Sequence, residues 1–179
     1  MTSRINMAPG QPDYPALLHA CRSSAMHVEM RDAYAVSHED EDWAAWLAGE
    51  RDPARNEDRW SPFCAAMSQV TARGVAARRL RVVSTPVTEY VKFEHAGTPA
   101  NVRAGEQVRW LPRMDARDLL LPPLDFWIFD ETRLLLHHFD GDGAWLGHEF
   151  SDDPQLIEVY LGAFARLWER GVPHREFAV

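Results

Sequence analysis

The chain has 179 residues, 46% of them apolar and 11% aromatic, with a net charge of −8 and a pI near 5.4. That length and composition describe one globular domain burying roughly two-thirds of its unfolded surface, and exclude a disordered or disulfide-dependent chain. The acidic balance excludes a protein that binds nucleic acid or anionic lipid through a general basic field.

Cys21 and Cys64 are the two cysteines; they form no CxxC and lie in apolar helical contexts. That usage fits reduced thiols in a cytoplasmic protein. No apolar run reaches the roughly 20 residues that span a bilayer. The first fifteen residues lack the apolar core of a signal peptide. Neither a membrane nor direct nucleic-acid contact is expected.

Residues 1–12, rich in Pro, Gly and polar groups, read as a disordered leader. Residues 13–55 read as an N-terminal extension packing on the core, and 56–179 as an α/β core domain. A short helix is expected over 14–23. In "AMHVEMR", Met26, Val28 and Met30 alternate with His27, Glu29 and Arg31. This period of two predicts a strand with one buried face. Ser37 then caps a helix carrying Trp43, Trp46 and Leu47 on one side, ended by Gly49. Those tryptophans offer a surface to a partner. "ERDPARNEDR" is a charged connector.

Ser61 and Pro62 open the next helix, with Phe63, Met67 and Val70 at helical spacing and Gly74 at its end. "VAARRLRVVS" predicts a strand. Pro86 suits a helix start, with Val87, Tyr90, Val91 and Glu94 in its first turns, and "AGTPAN" breaks or kinks it. A strand around Val108, Trp110 and Leu111 follows Gly105. After a loop over 112–124 come three strand-like runs, "DFWIFD", "RLLLHHF" and "AWLGHEF". Glu131-Thr132 and "DGDG" link them as hairpins. Asp152 or Asp153 caps a final amphipathic helix bearing Leu156, Ile157, Tyr160, Leu161, Phe164, Leu167 and Trp168, before Gly171 and Pro173. The order from residue 57 is α-β-α-β-β-β-β-α. A βαβ unit implies parallel pairing. The fold class is α/β (α+β), a mixed sheet flanked by helices.

The strings "HVEMRDAY", "EYVKFEH", "NVRAGEQVRWLPR", "DFWIFD", "HHFDGDGAWLGHE" and "DDP…FARLWERGVPH" together resemble a family of cytosolic proteins from high-GC Gram-positive bacteria. That family carries no assigned activity, and its genes commonly sit beside small helix-turn-helix regulators. The resemblance implies membership and, by neighbourhood, a regulatory role with a helix-turn-helix partner; a second copy of the chain is another candidate partner. "ARGVAARRLRVV", "GEQVRWLPR", "DFWIFDETRLLL" and the capped helix ending "LWERG" are similar to one half of a phospholipase D-like domain. In that superfamily an HxKxxxxD motif supplies the nucleophilic histidine and a phosphate-binding lysine. Aligned on Asp130, its histidine and lysine positions fall on Pro123 and Asp125. A carboxylate where phosphate sits is repulsive. The resemblance therefore implies the shell without its catalysis.

Other constellations were weighed against plainer readings. His137, His138, His148 and Glu149 lie on adjacent predicted strands, but alternation puts His137 and His138 on opposite faces. Hydrogen-bonded sheet histidines explain them without a metal. Asp140-Gly141-Asp142-Gly143 lacks the later acids of a calcium loop and reads as a turn. Tyr90, Lys92, Glu94 and His95 crowd one helix. Tyr90 and Glu94 share a face, whereas His95 diverges from Glu94 by roughly 100°. With Arg103, Arg109, Trp110, Asp125, His138 and His148 they are candidates for a ligand pocket; an ion-paired surface helix is the alternative. No catalytic residue, metal or cofactor is assigned. The expected function is a non-catalytic regulatory or interaction module. The alternative is a small-ligand sensor or enzyme using a polar pocket near Glu94, His95, Arg109 and Asp125.

Overall fold

The computed structural model describes residues 7–35, 40–51 and 61–179. The Ser37 cap and most of the charged connector lie outside these. The helices are α1 (Tyr14–Ala20), α2 (Asp40–Leu47), α3 (Pro62–Ala72), α4 (Glu89–Arg103) and α5 (Pro154–Arg170). The strands are β1 (Ser24–Glu29), β2 (Ala76–Val83), β3 (Gln107–Pro112), β4 (Asp125–Phe129), β5 (Arg133–Phe139), β6 (Trp145–Ser151) and β7 (Val172–Pro173).

They form one mixed sheet in the order β6-β5-β4-β1-β2-β3-β7. β1, β2 and β3 run parallel, with α4 as the crossover from β2 to β3. The two predicted hairpins, β4–β5 and β5–β6, are antiparallel. β1 is the central strand, paired with β2 on one side and β4 on the other. The segment around it therefore lies inside the sheet rather than on its periphery.

One face of the sheet is uniformly apolar. Val28, Leu80, Val82, Phe126, Ile128 and Leu134 from the strands meet Ile157, Tyr160, Phe164 and Leu167 of α5. Full burial of each large apolar side chain contributes about 1.5–3 kcal/mol before entropy is counted. Asp153 caps α5, its carboxylate accepting from the Gln155 N–H.

The opposite face changes character along its length. At one end Ala25, Ala77, Phe129 and Leu135 pack against α1 and α3. At the other end the same alternation brings His27, Glu29, Arg79, Arg81, Asp125 and His137 inward. The period-two pattern in β1 predicts one buried face; the strand is buried on both, because helices cover its polar side too.

Three further expectations change. Thr88 caps α4, which runs unbroken through Pro99 to Arg103. Proline forfeits only one backbone hydrogen bond there, and Thr98 Oγ1 donates to the Glu94 carbonyl at 2.8 Å in the same turn. The β4–β5 turn uses Asp130 and Glu131, both at positive φ, closed by the Thr132 N–H to the Phe129 carbonyl at 3.1 Å; that is the mirror-type turn a twisted hairpin favours. Residues 7–12, assigned to a leader, lie on the sheet. Ala8 exchanges two backbone hydrogen bonds with His148 at 2.8 and 3.0 Å. Gly147 (φ +150) permits this approach, since a Cβ there would stand 2.7 Å from the Ala8 oxygen.

Candidate functional site

The polar end of that face floors a cavity of about 660 Å³, roofed by α1, α3 and α4. Its lining includes the C-terminal halves of parallel strands β1 and β2, the end of a strand at which α/β sheets place their ligands. Register explains its contents. Arg79 and Arg81 sit two apart on β2 and so project to one side. Beside them on β1 lie His27 and Glu29, opposite Arg79 and Arg81 respectively.

Five charged side chains join in a line. Glu106 Oε1 accepts from Arg79 Nε at 2.9 Å, and Glu29 Oε1 accepts from Arg79 Nη1 at 3.1 Å. Glu29 Oε2 meets Arg81 Nε at 2.8 Å, and Arg81 reaches Glu94 on α4. The line Glu106–Arg79–Glu29–Arg81–Glu94 thus begins and ends with a carboxylate. Burial works against ionising Glu29, but Arg81 and Arg79 outweigh it and hold its carboxyl below the usual range. Burial likewise opposes the charge on Arg79 and Arg81, and their carboxylate partners raise both.

Asp125, the first residue of β4, accepts from the Met30 N–H at 2.9 Å and from the Tyr34 hydroxyl. Burial pushes its carboxyl up to about 6. Burial also keeps His27 well below its ordinary value, helped by Arg79 and His137, and lowers His137 to about 4. Both imidazoles are neutral at pH 7. His27 is 5% exposed and stacks on Trp127 with ring centroids 4.1 Å apart. Among the described residues, neither His27 nitrogen nor the Trp127 indole N–H has a hydrogen-bond partner. Tyr14 Oη lies 3.2 Å from His137 Nε2.

Of the ten residues proposed from sequence, Tyr90, Glu94 and Asp125 line this cavity. The other seven do not. Lys92 pairs with Glu89 on the outer surface of α4, and Arg103 is exposed at that helix's end. His95 donates to the Phe177 carbonyl at 3.1 Å, and Trp110 donates to His174 Nδ1 at 3.2 Å, under the C-terminal segment. Arg109 bonds the Trp168 carbonyl of α5. His138 faces Glu149 at 3.3 Å, and His148 donates to the Gly10 carbonyl at 3.0 Å. His27, Glu29, Arg79, Arg81 and Trp127 are not among the sequence candidates, and His137 enters there only as a hydrogen-bonded sheet histidine. Their signal was charge at i, i+2 spacing inside strands that helices cover. Among the described residues no group of three or more His, Cys, Asp or Glu is placed to hold a metal ion. No described helix is long and apolar enough to cross a membrane.

Residues 12–179 match the family described as Domain of unknown function (DUF6879). The chain belongs to the DUF6879 family. No curated protein matches it. Among solved structures, this DUF6879 chain is similar to Nuc, a phospholipase D family member from Salmonella typhimurium. Identity is 11%, coverage 89% of this chain and 87% of that one, and the TM-score 0.52. TrmBL2, an archaeal chromatin protein, matches at 14% identity over 95% of this chain and 54% of its own, with a TM-score of 0.48. NucT from Helicobacter pylori matches at 13% identity, 89% and 87% coverage, and a TM-score of 0.48. The DUF6879 fold is thus phospholipase D-like. The two acids that bound β4 separate: Asp125 faces the cavity, whereas Asp130 sits in the turn beyond Phe129. There Asp130 Oδ1 accepts from the Arg22, Ser23 and Ser24 N–H groups at 3.0, 2.8 and 3.0 Å.

Proposed function

We propose that this protein is a non-catalytic regulatory module, cytoplasmic, that acts with a small helix-turn-helix DNA-binding partner. One observation carries the loss of catalysis. The chain's single lysine is Lys92, and Tyr90 stands two residues before it, so its 179 residues contain no HxK pair. Phosphodiester cleavage on this fold needs that histidine as nucleophile and that lysine on the phosphate. Asp125 at the lysine position adds a carboxylate that repels phosphate. The regulatory half of the reading rests on the family resemblance and its gene neighbourhood. Of the α2 tryptophans offered as a partner surface, Trp46 is buried and Trp43 is half-buried against Tyr90 and Phe93.

Two measurements test the proposal. Co-expression with the adjacent helix-turn-helix protein should yield one complex by size exclusion; separate elution at about 10 µM removes the partnership. Incubation with bis(p-nitrophenyl) phosphate should release no nitrophenolate above a buffer blank. Turnover by the purified chain would overturn the non-catalytic reading.

A further inference from the structure

The cavity is built for a ligand whose charge can be read from its walls. Three carboxylates serve two guanidiniums in the buried line, and each guanidinium already has two carboxylates. An incoming anion would have to displace one of these partners and would face the surplus carboxylate and Asp125. Neutral histidines offer no compensating charge. Aromatic side chains supply much of the remaining wall: Tyr14, Phe63, Phe139 and Trp145 line the same space. Electron-rich ring faces near an excess of carboxylate favour a positive group. His27 and Trp127 line the cavity floor, more than nine-tenths buried, and among the described residues neither the His27 nitrogens nor the Trp127 indole N–H has a hydrogen-bond partner, the kind of buried polar group a bound polar ring could satisfy. A volume of about 660 Å³ suits a small molecule and greatly exceeds a bare metal ion.

We infer that this cavity binds a flat organic cation, a quaternary or protonated nitrogen carried on a heteroaromatic ring. The ring lies among the aromatic walls, and the positive centre faces the Glu29–Glu94–Asp125 side. This deepens the regulatory reading by naming the chemistry the module would sense, and it rests on that reading for its purpose.

The test uses the full chain and a matched series on one ring: 1-methylnicotinamide as cation, nicotinamide as neutral form, nicotinate as anion. Titrations are followed by tryptophan fluorescence, which Trp127 and Trp145 report, and by calorimetry. The cation should bind at least about tenfold more tightly than nicotinate, with nicotinamide between them. Glu94→Gln should weaken the cation by about threefold or more without improving nicotinate. Should that variant fail to fold, Trp145→Leu at the half-buried rim replaces it, and should weaken cation and neutral ring together. Equal or tighter binding of nicotinate overturns the inference. So does the absence of any cation signal up to about 10 mM. Either failure with the helix-turn-helix complex intact sinks the ligand class alone. Cation binding without that complex sinks the partnership alone.

Discussion

The Tyr34 hydroxyl donates to Asp125 in the wall of the cavity. It ties the loop after β1 to the first residue of β4. The bond stabilises a carboxylate that burial disfavours, and burial wins: the group titrates near 6, against about 3.9 in an unfolded chain. The folded state therefore holds a proton that the unfolded state has released between about pH 4 and 6. Asp125 makes stability fall as pH rises through that window.

Asp125→Asn should remove this loss. Its amide still offers one acceptor, and the Tyr34 hydroxyl can turn to accept from the amide nitrogen. Relative to wild type, the variant should gain about 2 kcal/mol between pH 4.5 and 7. Urea unfolding of both chains at the two pH values measures the double difference. A difference near zero would mean that Asp125 is ionised normally in the fold.

The charged line makes an asymmetric forecast. Glu29→Gln leaves Arg79 with Glu106 and Arg81 with Glu94, so every charge keeps a partner. Its cost should be about 1–2 kcal/mol. Arg81→Gln leaves the half-buried Glu94 without its guanidinium and Glu29 with Arg79 alone, at about 3–5 kcal/mol. Chemical denaturation ranks the two; a larger loss for Glu29→Gln would contradict the pairing described.

Asp130 holds the entry to β1 with one carboxylate oxygen against three backbone N–H groups. Burial is the largest single influence and opposes its charge, but the Ser23, Ser24 and Arg22 N–H donors together more than offset it, keeping the carboxyl below its usual value. Asp130→Ala should destabilise by about 1–3 kcal/mol, and more than Asp130→Asn, which keeps an acceptor and tolerates the left-handed φ of 50°. Thermal melts of the three chains give the order directly.

His174 accepts from the Trp110 indole N–H, and its ring centroid lies 4.3 Å from that of His95. Burial, then His95 and Arg81, lower it to about 4. Its folded value lies below its unfolded one, so its contribution is present above about 6.5 and is lost as pH falls toward 4. Protonated, it cannot accept from Trp110. Amide exchange at residues 174–179, corrected for intrinsic rates, should lose protection as pH falls from 7 toward 4, first because the opened segment takes up a proton that the closed one refuses and then because the bond itself breaks. Unchanged protection would show that the segment is held by Phe177 alone.

Much of this fold is legible in the residues. α5 reads clearly because its caps and apolar stripe agree, and the β4–β6 hairpins read clearly from their alternation and turns. β7 escapes notice because two residues carry no period. The continuation of α4 through Pro99 depends on packing that no local signal reports. The site was harder. Tyr90 and Glu94 follow from helical spacing, and Asp125 from its place at a strand end. Lys92 and His95 share the helix of Tyr90 and Glu94, but its turn sends them elsewhere, Lys92 to Glu89 at the surface and His95 to the Phe177 carbonyl. The Arg79–Arg81 and His27–Glu29 pairs look like a solvated strand edge until the central position of β1 is known, because only tertiary pairing decides whether a polar strand face meets water or a helix.

That central position also constrains synthesis. β1 emerges from the ribosome before both its partners: β2, some fifty positions later in register (Ser24 opposite Ala76), and β4, which pairs at Phe126–Phe129. A nascent chain shorter than that presents β1 with an unfilled side and cannot close the cavity floor. Long-range pairing of this kind slows folding and exposes strand edges to other chains. Translational stalling between β3 and β4 is thus the stage at which this protein is most open to chaperone capture or aggregation.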